Sequence, residues 1–141
     1  MEATLPSKSL RILIADTQHF HRMRIERLFN QLGYFRVAPV QGVEELLSLM
    51  EYSTEPFDLV VVNGALANGR LNLFDFFVDN PQARHAFIFD GRQAQLPLIA
   101  ASVRHNVKVS HAALPDLASI AQLMAKVDPR RPFVGTVISV R

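Results

Sequence analysis

A chain of 141 residues with no cysteine has the size of one domain burying roughly two thirds of its unfolded surface, and it excludes a disulfide framework and thiolate metal sites. The 15 Lys and Arg against 13 Asp and Glu leave a net charge of +2, too little for nucleic-acid binding unless the charges gather into a patch. No apolar run reaches the roughly 20 residues that span a bilayer, and Met1-Glu2-Ala3-Thr4-Leu5-Pro6 lacks the pattern of a secretory signal, so a soluble cytoplasmic protein is expected.

Residues 1–9 read as a polar leader. Leu10 to Ala15 is expected as a first buried strand closing on Asp16-Thr17. A helix follows, with Asp16 or Thr17 as N-cap, Phe20, Met23, Leu28, Phe29 and Leu32 in its apolar set, and Gly33 as its left-handed stop. Arg22, Arg24 and Arg27 on this helix, like Arg130 and Arg131 near the end of the chain, read as solvated charges. His19 and His21 lie two apart and share no helix face, which argues against a metal site built on them.

Phe35 to Val40 is the second strand, and Pro39, which cannot donate to a ladder, puts it near an edge. Gly42 to Tyr52 is a helix with Val43, Leu46, Leu47 and Met50 at spacings of three and four. The stretch Pro56-Phe57-Asp58-Leu59-Val60-Val61-Val62-Asn63-Gly64 carries a run of mostly β-branched residues without polar alternation. It is expected as the central strand, buried on both faces, and its last residue, Asn63, should face the crevice at the carboxyl ends of the strands.

A loop from Gly64 to Gly69 leads to a short helix, Leu71 to Asp79. Its Leu71, Leu73, Phe74, Phe76, Phe77 and Val78 are more than one stripe can turn inward. Phe74 and Phe77 are therefore candidates for an exposed contact patch, with burial as the equal alternative. His85 to Asp90 is a fourth strand, Leu96 to Arg104 a helix with Pro97 in its first turn, and Val107 to Ser110 a brief fifth strand. Pro115 opens the last helix, which carries Leu117, Ile120, Ala121, Leu123, Met124 and Val127; residues 128–141 read as a linker or tail of the kind that leads to an output domain. Alternating strands and helices with all-apolar strands call for an α/β domain, residues 10–127, with a five-stranded parallel sheet between two helical layers.

The order of elements, the Ile-Leu-Ile-Ala-Asp opening (residues 12–16) and the Phe-Asp-Leu-Val-Val-Val approach (residues 57–62) to the end of the central strand resemble the receiver domain of bacterial two-component response regulators. The resemblance covers Leu10 to Val127 and implies the flavodoxin-like strand order 2-1-3-4-5. It also implies a phosphoacceptor Asp at the end of the third strand, a pair of acids after the first, Ser or Thr ending the fourth and Lys ending the fifth. This chain departs at each place. The acceptor position holds Asn63, the acidic pair is Asp16-Thr17, Asp90 ends the fourth strand, and Ser110 or His111 falls nearest the Lys. Lys108 lies earlier in that strand, and Val109 stands where the family has a switch aromatic.

The family's chemistry needs a carboxylate to attack the phosphoryl group and acids to hold Mg²⁺; an amide is a poor nucleophile and brings no charge to the metal. Asp58 is roughly 16 Å from Asn63, at the other end of the strand, and cannot substitute. Asp16 and Asp90 read as solvated strand-end carboxylates rather than as a cation site, and no cofactor or metal is expected. Asn63-Gly64 is also a deamidation sequence, which would regenerate an acid.

The expectation is a degenerate, non-enzymatic receiver acting by phosphorylation-independent protein interaction or dimerisation, with Leu98, Ile99, Val103, Val109 and Leu117 as further contact residues. The resemblance implies a protein partner or a homodimer, a histidine kinase or an output domain being the family's usual counterparts; neither a membrane nor direct nucleic-acid binding is expected. The alternatives are a working receiver phosphorylated at a non-standard site and a flavodoxin-like ligand-binding protein. The second would want a Gly- and Ser-rich phosphate loop that Asp16-Thr17-Gln18-His19-Phe20 does not supply.

Overall fold

The computed structural model describes residues 9–67, 69, 71–90 and 106–129. Five strands, β1 (Ile12–Ala15), β2 (Val37–Val40), β3 (Leu59–Asn63), β4 (Ala86–Phe89) and β5 (Val107–Val109), form one parallel sheet in the order β2-β1-β3-β4-β5. The described helices are α1 (His19–Gln31), α2 (Val43–Tyr52), α3 (Leu73–Phe77) and α4 (Leu117–Val127). The sheet is the one expected, and β2 with its Pro39 is an edge strand, so the missing N–H breaks no inner ladder.

The strands lack polar alternation because each side of the sheet has its own core. Ile12, Ile14, Leu59, Val61, Phe87 and Phe89 meet Ile25 and Phe29 of α1 and Ile120, Leu123 and Met124 of α4. The alternate residues Leu13, Ala15, Val60, Val62, Ala86 and Ile88 meet Val43, Leu46 and Met50 of α2 and Leu73, Phe74 and Phe77 of α3. This is the period-two pattern of a strand with both faces covered. A buried bond ties the two ends of the first layer: the Tyr34 hydroxyl, just past α1, donates to the Asp128 carboxylate at the end of α4 over 2.7 Å.

Two expectations are corrected. Phe74 and Phe77 are fully buried and form no contact patch. α3 has only five residues, and its turn packs both rings into the core beneath it, a burial that stabilises by about 1.5–3 kcal/mol per ring. The side chains of Asn72, which accepts from Asp75 N, and Asn80, which donates to Phe76 O, bracket that turn. The N-cap of α1 is Gln18, not Asp16 or Thr17, and its side chain makes no capping bond.

Among the remaining contact candidates, Val109 is half-buried against the α2/α3 core and Leu117 is exposed. Leu98, Ile99 and Val103, with the helix expected at Leu96 to Arg104, lie outside the described residues, as do residues 1–8 and 130–141. No helix among the described residues is long and apolar enough to cross a membrane.

Candidate functional site

Asp16 follows the last residue of β1, and Asn63 is the last residue of the neighbouring β3; the register Ala15 to Val62 brings the two side chains together at the carboxyl edge of the sheet. Asp16 is 1% exposed. A carboxylate so placed must find donors or lose its charge, and it finds three. Its Oδ1 accepts the backbone N–H of Gln18 at 2.8 Å, and its Oδ2 accepts the Asn63 Nδ2–H at 3.0 Å and lies 2.9 Å from His21 Nδ1. The Asp16 carbonyl accepts from the Arg22 guanidinium at 2.7 Å, and its own N–H donates to Val40 O at 3.1 Å.

The local sequence explains the arrangement. The Asp16 to Gln18 bond is the short-range turn that Asp favours, and α1 starts one residue later than a Thr17 cap, and two later than an Asp16 cap, would have it. That places His21 in the first turn of the helix, leaning back over the end of β1. Considering His19 and His21 only as a pair missed this; the available signal was an Asp two residues before a helix cap followed by a His in its first turn. His19 is exposed and takes no part.

Asn63 uses both ends of its amide, its Oδ1 accepting the Ala65 N–H at 2.8 Å while its nitrogen serves Asp16. The network thus fixes which way the amide points. Beyond it, Gly64 N donates to Phe89 O at 2.7 Å, and a Cβ at Gly64 would lie 2.8 Å from the Asp90 carbonyl oxygen. Only glycine lets the ends of β3 and β4 approach so closely. Asp90 itself adopts a left-handed φ of 56°, and its N–H donates to Ala112 O.

Asp16, Thr17, His21, Asn63 and Asp90 line one open cleft of about 210 Å³, its wall completed by Ala65, Leu66 and Ala113. Ser110 and His111 stand outside it: Ser110 Oγ accepts the Ala112 N–H, and His111 points to solvent. Lys108 lines a separate hollow of about 40 Å³ with His85, Asn106 and Lys126. Among the described residues no three His, Cys, Asp or Glu side chains group so as to hold a metal ion. Asp58 accepts the Arg11 N–H at 2.8 Å and lies 3.5 Å from Arg84 Nε, at the amino end of β3 and away from the cleft.

A five-stranded parallel sheet in this order, covered on both faces and with its cleft at the ends of β1 and β3, is the receiver fold. A solved structure described as a response regulator receiver domain (CheY-like) from Methylobacillus flagellatus resembles this chain with a TM-score of 0.62 and 15% sequence identity, over 85% of this chain and 100% of that one. At such an identity the likeness establishes the fold alone. No family model matches the sequence, nor does any curated protein.

Proposed function

We propose that this receiver-like domain is a non-enzymatic signal-transduction module that acts through protein–protein contacts without being phosphorylated. The observation that carries the reading is the 3.0 Å bond from Asn63 Nδ2 to Asp16 Oδ2. An ionised carboxylate has only acceptors, so the acid that the family resemblance calls for at position 63 could not make this bond. Here the amide satisfies the one acid that remains of the expected set, and His21 and the Gln18 N–H take two more of its acceptor sites.

Further support comes from what lines the cleft. Thr17 stands where a second metal acid is expected, Asp90 would repel a phosphoryl oxygen, and no lysine is among the described lining residues. Incubation with acetyl phosphate and Mg²⁺, followed by intact-mass measurement, tests the reading. The expected result is an unchanged mass; an acid-labile gain of one phosphoryl group would overturn it in favour of a receiver phosphorylated elsewhere.

A further inference from the structure

The helices α1 and α2 carry opposite charge and matching exposed apolar residues. On α1, Arg22, Arg24 and Arg27 stand against a single Glu26, and the exposed stripe holds Phe20 (60% exposed), Met23, Arg24 and Arg27. The Arg24 guanidinium lies 5.9 Å from the centre of the Phe20 ring, so the cation and the ring form one patch. The α2 sequence contains Glu44, Glu45 and Glu51 and no Lys or Arg, and the exposed side holds Ser48, Leu49, Glu51 and Tyr52 (76% exposed).

The ends of the helices sharpen the match. The first turn of α1 has no acidic residue and no side-chain cap, and the last turn of α2 has no basic one. The start of α1 is met by the Asp16 carboxylate through the Gln18 N–H and His21, whereas the negative end of α2, which carries Tyr52, has no cation of its own. Departures of this kind from helix-forming rules concentrate where a surface is used.

We infer that the α1 surface around Phe20, Met23 and Arg24 docks onto the α2 surface around Leu49, Glu51 and Tyr52 of a second copy of this chain. The arginines meet the glutamates, and the aromatic and aliphatic groups leave water between them. α1 and α2 cover opposite faces of the sheet. Each copy that offers its α1 to a neighbour keeps its own α2 free, so the contact is heterologous and association runs on as a stack rather than closing at two. This names the partner for the interaction module proposed above and rests on that reading only for its purpose. Phosphate uptake with association intact would sink the earlier reading alone; a monomer that takes up no phosphate would sink this one alone.

Sedimentation velocity on the full chain at low and high salt tests the inference. The mean mass is expected to grow with protein concentration at low salt, and association to weaken by about tenfold or more at high salt, since exposed charges beyond a Debye length are screened. Arg24→Glu with Arg27→Glu, and separately Ser48→Lys with Glu51→Lys, should each abolish the growth. An equimolar mixture of the two variants, or one chain carrying all four changes, should restore it. All four positions are exposed, so the variants should keep the fold, which circular dichroism checks; should one fail to fold, Arg24→Glu alone and the salt series decide. A wild-type chain that stays monomeric at low salt, association that survives both variants, or loss without rescue in the mixture would each overturn the contact.

Discussion

Asn63→Asp puts an acid back where the resemblance calls for one, and the geometry predicts that doing so without a cation harms the protein. The substituted side chain would hold a second carboxylate about as far from Asp16 Oδ2 as the amide nitrogen is now, 3.0 Å. Two unit charges at that separation repel by about 5 kcal/mol at an effective dielectric of about 20. Residue 63 is half-exposed and can swing away from its neighbour, so about 2 kcal/mol of repulsion should survive relaxation and screening. Losing the hydrogen bond to an ionised acceptor adds about 1.5 kcal/mol.

Urea unfolding at neutral pH in chelator should therefore place Asn63→Asp about 3.5 kcal/mol below the wild type and Asn63→Ala about 1.5 kcal/mol below it, the difference isolating the repulsion. The extra cost of the acid should shrink as pH falls, because a proton shared between two carboxylates removes the clash. Mg²⁺ should raise the midpoint of Asn63→Asp and leave the wild type unmoved. If Asn63→Asp in chelator proves as stable as the wild type, the bond to Asp16 does not hold the cleft together and the reasoning fails.

Tyr34→Phe removes the donor to the buried Asp128 carboxylate at 2.7 Å and should cost about 1.5–3 kcal/mol in the same assay. Gly64→Ala drives a Cβ to 2.8 Å from the Asp90 carbonyl, which the backbone must yield to accommodate; a lower melting temperature is expected, and an unchanged one would mean that the β3 and β4 ends can part freely. Burial, helped by the nearby Lys126 charge, lowers the His85 pKa below its ordinary 6.5. The folded imidazole then holds its proton less tightly than the unfolded one. Its contribution is full above pH 6.5, falls as pH drops through 6.5 toward the depressed folded value, and levels below it; His85→Asn should flatten that part of the stability profile. Deamidation at Asn63-Gly64 requires the Gly64 nitrogen to turn on the Asn63 side chain, yet that nitrogen is engaged with Phe89 O at 2.7 Å, so the intact mass should gain no dalton on long incubation.

The sheet was legible in the sequence because apolar runs such as Leu59 to Val62 have few other uses, and Pro39 marked its own strand as an edge. Asp16, Thr17, Asn63 and Asp90 fall at strand ends and line one cleft, but Asp16 is buried rather than the solvated carboxylate expected, and Ser110 and His111, expected in the same pocket, stand outside it. His21 was not legible, since its role depends on where α1 begins, and the Asp16 to Gln18 turn moved that start. Phe74 and Phe77 were ambiguous for a related reason. A helix of five residues has no stripe to count, and the depth of the core beneath α3 decides which rings go in.

Exchanging a carboxylate for an amide at position 63 changes the sign of its interaction with Asp16. Two acids there repel and at neutral pH are reconciled by a bound cation, so the stability and shape of such a cleft depend on what is bound. An amide attracts the same acid, and His21 and the Gln18 N–H bond to it as well, so the cleft holds itself together with nothing added. Binding a phosphoryl group would then have to break bonds that are already made, and the surroundings offer little in return: Thr17 brings no charge and the Asp90 carboxylate repels phosphoryl oxygens. On the function proposed above, a domain built this way takes no chemical input and keeps a fixed shape. On this reading its responsiveness must come from concentration, salt or partner supply, which are the variables that a contact between oppositely charged helices obeys.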